Sequence, residues 1–427
     1  MIAKAIFKLG QKLRNPSLNK WYLFLKSSEN WTLEELEAYQ LEKLKGLIVN
    51  AYTNSEFYRT AFQKAGITPS AIICLNDLKK LPIITKENLI SENQNIQQKT
   101  NSTRFFKAST SGTTGASLIF KRAEITDSFN RASLFRGYSW YNVKPWERNG
   151  YFWGFNFSKK AKLKIKFLDF LQNRFRLFNF DDKQLKNFAR KLHNSGYIHG
   201  YSSAIYETAK KINRKHFKKP LRLKMVKGTS EKIFESYQSE VTQAFGQKMI
   251  SEYGAAETGI IAFECPKGSM HINMEGVLVE EVDNEIIVTN LQQYSFPIIR
   301  YKLGDIIRLA PRSKVCACGM PHLILEEVTG RVGAVVYGNT ESYPSLYFYY
   351  IFKNLAKKGL LLTYQVLQEK KGKLLFLIEQ NLKSTEKEVL MNEVKLYFKE
   401  DMVTEIKENA TFIKGKHKQK SFISNID

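Results

Sequence analysis

The chain has 427 residues, 43% of them hydrophobic and 13% aromatic, enough apolar material for a large core spread over about two to three domains. Its 66 basic and 41 acidic residues leave a net charge of +25, and a 25% charged fraction excludes a low-complexity disordered chain. No uncharged apolar run reaches about 18 residues, Lys4, Lys8 and Lys12 interrupt any signal-peptide core, and four cysteines make no disulfide scaffold; the expectation is a cytoplasmic protein without a transmembrane helix.

The charge is concentrated. Residues 1–26 carry six basic side chains and no acidic one, 159–176 seven and one, 210–227 nine and none, and 411–426 four and none. Such a balance suggests a polyanionic partner. No nucleic-acid module and no base-stacking platform accompanies these patches, so nucleic acid is not the expected partner.

In chain order, Ile2, Ile6, Leu9 and Leu13 fall on one side of a predicted helix with Lys4, Lys8 and Lys12 between them. Two readings stand: the stripe packs on its own domain, or residues 1–26 make peripheral contact with the anionic inner face of a membrane. Residues 32–65 read as helical, opened by a Thr32/Glu35 capping box. Short helical pieces over 70–92 surround a Leu81-Pro82-Ile83-Ile84 turn. The aromatic stretch 135–157, with Trp140, Tyr141, Trp146, Phe152, Trp153 and Phe155, is either pocket lining or ordinary core. Helices are predicted over 183–193 and 203–217, and short buried strands over 222–226 and 248–253. Runs at 277–280 and 285–288 around Asp283-Asn284 predict a hairpin, followed by extended chain over 298–309. After about 330 the pattern is that of a small α+β unit, with strands at 361–367 and 373–379 and an amphipathic helix over 384–400.

Several segments can carry chemistry. Ser109-Thr110-Ser111-Gly112-Thr113-Thr114-Gly115 interleaves hydroxyls with glycines, so its side chains and backbone N–H groups can surround phosphate oxygens. It is no Walker loop, and a plain loop is the alternative. In Glu252-Tyr253-Gly254-Ala255-Ala256-Glu257, a glycine beside an aromatic lets a flat ring approach the backbone, and Glu257 could hold Mg²⁺. Asp305 ends the stretch from Pro297 and could accept two ribose hydroxyls. Gly330-Arg331 follows, and Gly415-Lys416 lies near the C-terminus.

In this order and spacing the segments resemble the adenylate-forming (ANL) superfamily, in particular its phenylacetate–CoA ligase-like branch with the CapK type of capsular polysaccharide protein. Tyr58-Arg59, Leu81-Pro82-Ile83-Ile84-Thr85-Lys86 and His199-Gly200-Tyr201-Ser202-Ser203 resemble that branch as well. The resemblance covers nearly the whole chain. It implies an α/β fold: a large N-terminal adenylate-forming domain of mixed sheets and helices over 1–329, and a small mobile α+β lid over 330–427. The implied chemistry is ATP-dependent activation of a small carboxylic acid as the acyl-adenylate, then transfer to CoA or to an amine acceptor such as an amino sugar. Ser109 to Gly115 would hold the β- and γ-phosphates, Tyr253 and Gly254 would line the adenine and carboxylate site, and Asp305 would bind the ribose. Arg331 would sit at the hinge. Glu257, through Mg²⁺, and Lys416, at the α-phosphate, would be the catalytic groups.

This chain departs from the pattern at Ala116-Ser117, where a residue and then proline are usual, at Ala256 in place of threonine, and at Val332-Gly333-Ala334, which offers no acidic hinge residue. Lys414, Lys418 and Lys420 compete with Lys416. These departures motivate a second reading, a catalytically degenerate scaffold in a glycan-assembly complex. The 210–227 run could meet CoA phosphates or be a solvated lysine-rich face.

Cys265 and His271 are followed 45 residues after the histidine by Cys316 and Cys318. Three thiolates and an imidazole suit tetrahedral Zn²⁺, and a closed set of four would be structural, pinning 259–275 to 312–322. Some members of the branch carry a similar zinc. Cys74 is left over and expected in the core.

Overall fold

The computed structural model describes residues 2–98, 104–110, 117–152, 159–177, 182–217, 220, 222–331, 335–413 and 420–426. Eleven strands form one sheet with two unlike halves. Arg174–Arg176, Asn149–Phe152, Tyr197–Tyr201, Met225–Thr229 and Met249–Ala255 run parallel, in that spatial order. From there Gly259–Glu264, Met270–Ile272, Ile324–Arg331, Tyr301–Leu309, Glu285–Asn290 and Val277–Val282 continue the sheet antiparallel. Met249–Ala255 is therefore both the last parallel strand and the first arm of a hairpin.

Parallel neighbours need long crossovers, and helices supply them. Asp182–Leu192, Ser202–Arg214 and Tyr237–Phe245 lay Leu185, Phe188, Ile205, Val241 and Phe245 against Phe152, Ile198 and Val226 of the strands. On the antiparallel half, Leu33–Asn54 buries Leu36, Leu44, Leu47, Ile48 and Ala51 among Ile261, Val277, Ile286 and Val288. Its start is the capping box expected from sequence: Glu35 N–H donates to Thr32 Oγ1 and the Thr32 N–H to Glu35. Val277–Val282 and Glu285–Asn290 form the predicted hairpin. Asp283 (φ 51°) and Asn284 (φ 63°) adopt the left-handed conformation that a two-residue turn of this hand demands.

A second sheet has the order Val403–Lys407, Lys373–Ile378, Tyr364–Gln368, Phe422–Ser424. Helices Leu346–Lys357 and Ser384–Phe398 cover it with Phe348, Ile351, Leu390, Val394 and Phe398. It meets the large sheet's helices through Tyr206 Oη donating to Glu379 (2.7 Å), through Lys210 and Glu379, and through the Phe234 and Tyr364 rings.

One expectation changes and two open readings narrow. Cys74 is exposed rather than core, because it caps the short 3₁₀ helix Leu75–Lys80, where its amide donates to Asp77 at 2.8 Å. The described aromatics of 135–157 do not surround one pocket: Trp146 packs on Phe7, Trp140 on Phe263, and Phe152 is inside the helix-covered core. Trp153 and Phe155 lie outside the described residues. The 210–227 run is no uniformly solvated face. Lys215 pairs with Asp182, Lys224 with Glu147, and buried Lys227 with Glu252. Among the described residues no helix is long and apolar enough to cross a membrane.

Candidate active site and metal centre

The hydroxyl–glycine segment connects the two strands of a hairpin, Phe105–Ser109 and Ile119–Ala123. Ser109 ends the first strand. Thr110 closes the loop's base: its N–H donates to Leu118 O and its Oγ1 accepts from Leu118 N–H, both at 3.0 Å. Ser111, Gly112, Thr113, Thr114 and Gly115 lie outside the described residues. The hairpin is tied to the rest of the site. Leu118 and Phe120 share a core with Tyr253 and Ala255, and Arg122 donates to Ala256 O.

Tyr253 and Gly254 sit where the parallel half of the sheet turns antiparallel. A register shift falls between them, and Gly254 stands so close to the returning strand that a Cβ would lie 2.4 Å from Gly259 O. A side chain there would push the hairpin apart. Tyr253 Oη donates to Asp305 Oδ2 at 2.7 Å, joining residues 52 apart in sequence. Glu257 occupies the tip of the same hairpin, buried, and accepts from Tyr301 Oη at 3.3 Å. Burial pulls the Arg122 guanidinium below its ordinary pKa, against the opposing pull of Asp127 and Glu257. Asp305 and Arg331 are register partners on adjacent strands. Lys416 lies outside the described residues. Tyr253 and Glu257, on one hairpin, are thus each tied to the strand Tyr301–Leu309, through Asp305 and Tyr301 respectively.

Sequence reasoning missed a polar cluster in the middle of the neighbouring parallel strands. Lys227 and Glu252 form a buried ion pair, which Thr229 Oγ1 joins at 3.3 Å. His199 stacks on Tyr151 (centroids 4.6 Å) and lies 3.4 Å from both Tyr138 Oη and Asn149 Oδ1. Burial, then Lys227, Arg174 and Arg176, hold its imidazole well below the usual range, so it is neutral at pH 7. A charged residue inside the short apolar strand Met225–Thr229 was the available signal.

The cysteine–histidine residues converge. One ligand atom from each of Cys265, His271, Cys316 and Cys318 lies within 4.8 Å of all the others. Cys265 and Cys316 Sγ are 3.7 Å apart, and Cys318 Sγ is 3.2 Å from His271 Nε2. Two tight turns shape the cluster, each giving backbone donors to sulfur: Lys267 N–H to Cys265 and Cys318 N–H to Cys316. Gly319, at φ +81°, completes the second turn. His271 Nδ1 lies 3.3 Å from His322 O, which fixes the tautomer and leaves Nε2 toward the sulfurs. Burial holds His271 down at about 4, neutral as a ligand must be, and pushes the Cys265 thiol up to about 12. Packing ionised sulfurs there requires a cation. The donor set fits one, and fits a soft tetrahedral ion better than a hard one.

Behind it lies a buried charge network. Arg136 grips Glu275 with both guanidinium nitrogens, at 2.6 and 3.1 Å, while His322 Nε2 stands 3.0 Å from Glu275 Oε1 and Ser28 Oγ donates to it.

No family model matches the sequence. Protein CapK of Staphylococcus aureus is 22% identical over 278 residues, 60% of this chain and 59% of CapK, so the chain aligns with less than two thirds of that relative's length. Phenylacetate-coenzyme A ligase of Escherichia coli is 39% identical over 61 residues, 14% of each chain. Among solved structures, 2-hydroxyisobutyryl-CoA ligase in the postadenylation state is similar with a TM-score of 0.70 at 15% identity, over 93% of this chain and 91% of that one. The fold is that of 2-hydroxyisobutyryl-CoA ligase, and in sequence the chain is similar to Protein CapK and, over a short stretch, to phenylacetate-coenzyme A ligase.

Proposed function

We propose that this protein is an adenylate-forming ligase. The carboxylate of a small acid attacks the α-phosphate of ATP, the bond to the β-phosphate breaks, and acyl-adenylate and pyrophosphate result. The acyl group then passes to the CoA thiol or to an amine such as that of an amino sugar, in surface polysaccharide assembly, the setting that the sequence resemblance to the capsular branch implies.

The observation that carries the reading is the Tyr253–Asp305 hydrogen bond, which joins two of the expected nucleotide-site residues across 52 positions of sequence. Asp305, fixed by that bond, has the acceptor chemistry for the two ribose hydroxyls. Tyr253 and Gly254 offer a flat wall for the adenine. Ser109 to Gly115 would surround the β- and γ-phosphates. Glu257 is the carboxylate suited to Mg²⁺, which when bound neutralises charge on the phosphates. Lys416 would act at the α-phosphate. Residues 330–427 would form the lid, hinged near Arg331. Cys265, His271, Cys316 and Cys318 would hold Zn²⁺ in a structural role, since a closed set of four leaves no open position. We place the protein in the cytoplasm, with residues 1–26 in contact with the inner face of the membrane.

The test is acid-dependent exchange of pyrophosphate into ATP, run over aliphatic, hydroxy, amino and aromatic acids. Exchange with one class supports the reading. No exchange with any acid would favour the scaffold.

A further inference from the structure

The helix Ile2–Arg14 places Ile2, Ile6, Leu9 and Leu13 on one side. A helix docked on its own domain would turn that side inward. Here the docking residue is Phe7, whose ring lies 5.7 Å from Phe135 and 5.6 Å from Trp146, and no residue of the helix is buried. Lys4 and Lys8 lie over the Trp146 ring. Arg104 holds the helix's last turn through the Leu13 carbonyl. Ile2, Leu9 and Leu13 of the apolar stripe face solvent, and Ile6 is half-buried.

A second helix, Lys159–Leu171, packs beside the first and repeats the arrangement. Its buried side holds Asp169, bound to Arg174 and Arg176. Leu163, Phe167 and Phe170, at i, i+4 and i+7, point outward between Lys164 and Lys166. Ile2, Leu9, Leu13, Leu163, Phe167 and Phe170 are each between 61% and 77% exposed. Isolated exposed apolar residues are ordinary, but six on two adjoining helices make a patch of the kind that marks an interaction surface.

Charge selects the occupant. The first helix has Lys4, Lys8, Lys12 and Arg14 with no acid; the second has Lys159, Lys160, Lys162, Lys164 and Lys166, and its one acid is already ion-paired. A second copy of this chain would set like charge against like. Behind the second helix the positive field continues into a cavity of about 460 Å³ lined by Lys166, Arg176 and Lys191. We infer that the two helices form a single docking surface for a bilayer rich in anionic phospholipid, the apolar stripes entering the acyl boundary and the lysines meeting the headgroup phosphates. This extends the contact proposed for residues 1–26 to a second element far along the chain, and it stands independently of the adenylation chemistry.

The test uses the full chain and sedimentation with phosphatidylcholine vesicles, with and without phosphatidylglycerol. Binding should require phosphatidylglycerol and weaken with salt. The triple variants Ile2→Ser/Leu9→Ser/Leu13→Ser and Leu163→Ser/Phe167→Ser/Phe170→Ser should each lower binding by about 10-fold or more, with unchanged circular dichroism. As a second readout, the variant Phe167→Trp should show quenching by brominated lipid beyond that of the parent, whose five tryptophans it keeps. Binding unchanged by the second triple variant, equal binding to pure phosphatidylcholine, no quenching beyond the parent's, or a dimer of the parent protein that the second triple variant dissociates would each overturn the inference.

Discussion

Replacing Arg136 by methionine tests the buried network behind the candidate metal centre. The Arg136 side chain is 3% exposed and that of Glu275 is fully buried. Burial alone would push the Glu275 carboxyl up; the Arg136 guanidinium and His322 outweigh it and hold it well below the usual carboxylate range. The carboxylate's stability contribution is thus present above its ordinary value of 4.5 and is lost only as pH falls through the lower folded value. Arg136→Met leaves the charge buried without its main partner, which should cost about 3–5 kcal/mol. Burial then dominates, Glu275 titrates higher, and the deficit should shrink as pH is lowered from 8 toward 5. Arg136→Met/Glu275→Gln should recover more than half of the loss, because no buried carboxylate is left without its guanidinium partner. Urea unfolding followed by tryptophan fluorescence reads this; Trp140, whose ring centre lies 5.9 Å from Arg136, is one of the five contributing tryptophans. His322, which joins Glu275, also supplies the carbonyl that orients His271, so the single variant should lose metal about 10-fold more readily. A loss below about 1 kcal/mol, or a double variant less stable than the single one, would refute the reasoning.

Three further outcomes are expected. Asp305→Ala should lower acid-dependent exchange by about 100-fold, the loss of two hydrogen bonds to a charged acceptor, with the thermal midpoint little changed. The purified chain should carry one equivalent of zinc by elemental analysis, and stripping it with a strong chelator, or substituting His271→Ala, should lower the thermal midpoint by several degrees. Lys416→Ala should reduce exchange by about 100-fold or more while Lys418→Ala does not, as measured by pyrophosphate incorporation.

Local chemistry made much of the architecture legible. The Thr32/Glu35 cap, the Asp283-Asn284 turn and the helix Ser384–Phe398 are written in neighbouring residues and emerged where expected. The convergence of Cys265, His271, Cys316 and Cys318 was legible because thiols and imidazole are rare side chains, so composition alone selects them. The Arg136–Glu275 pair was not: its members stand 139 residues apart and follow no period. Nor did the sequence tell which of nine basic residues in 210–227 would be buried. Lys227 is set apart only by the strand that carries it next to Glu252. The helix Lys159–Leu171 was hidden because a run of lysines reads as a charged surface until the outward Leu163, Phe167 and Phe170 are placed on a common side. At the candidate nucleotide site, Tyr253, Glu257 and Asp305 were singled out by residue type and order, whereas Arg122, the tie between the two hairpins, carried no such mark.

The central claim is acid activation by ATP, and pyrophosphate exchange tests it most directly. With ATP, Mg²⁺ and the right acid, labelled pyrophosphate should enter ATP only when the acid is present, and Asp305→Ala should suppress it. Absence of exchange across the whole acid panel, together with no ATP binding by calorimetry, would contradict the account.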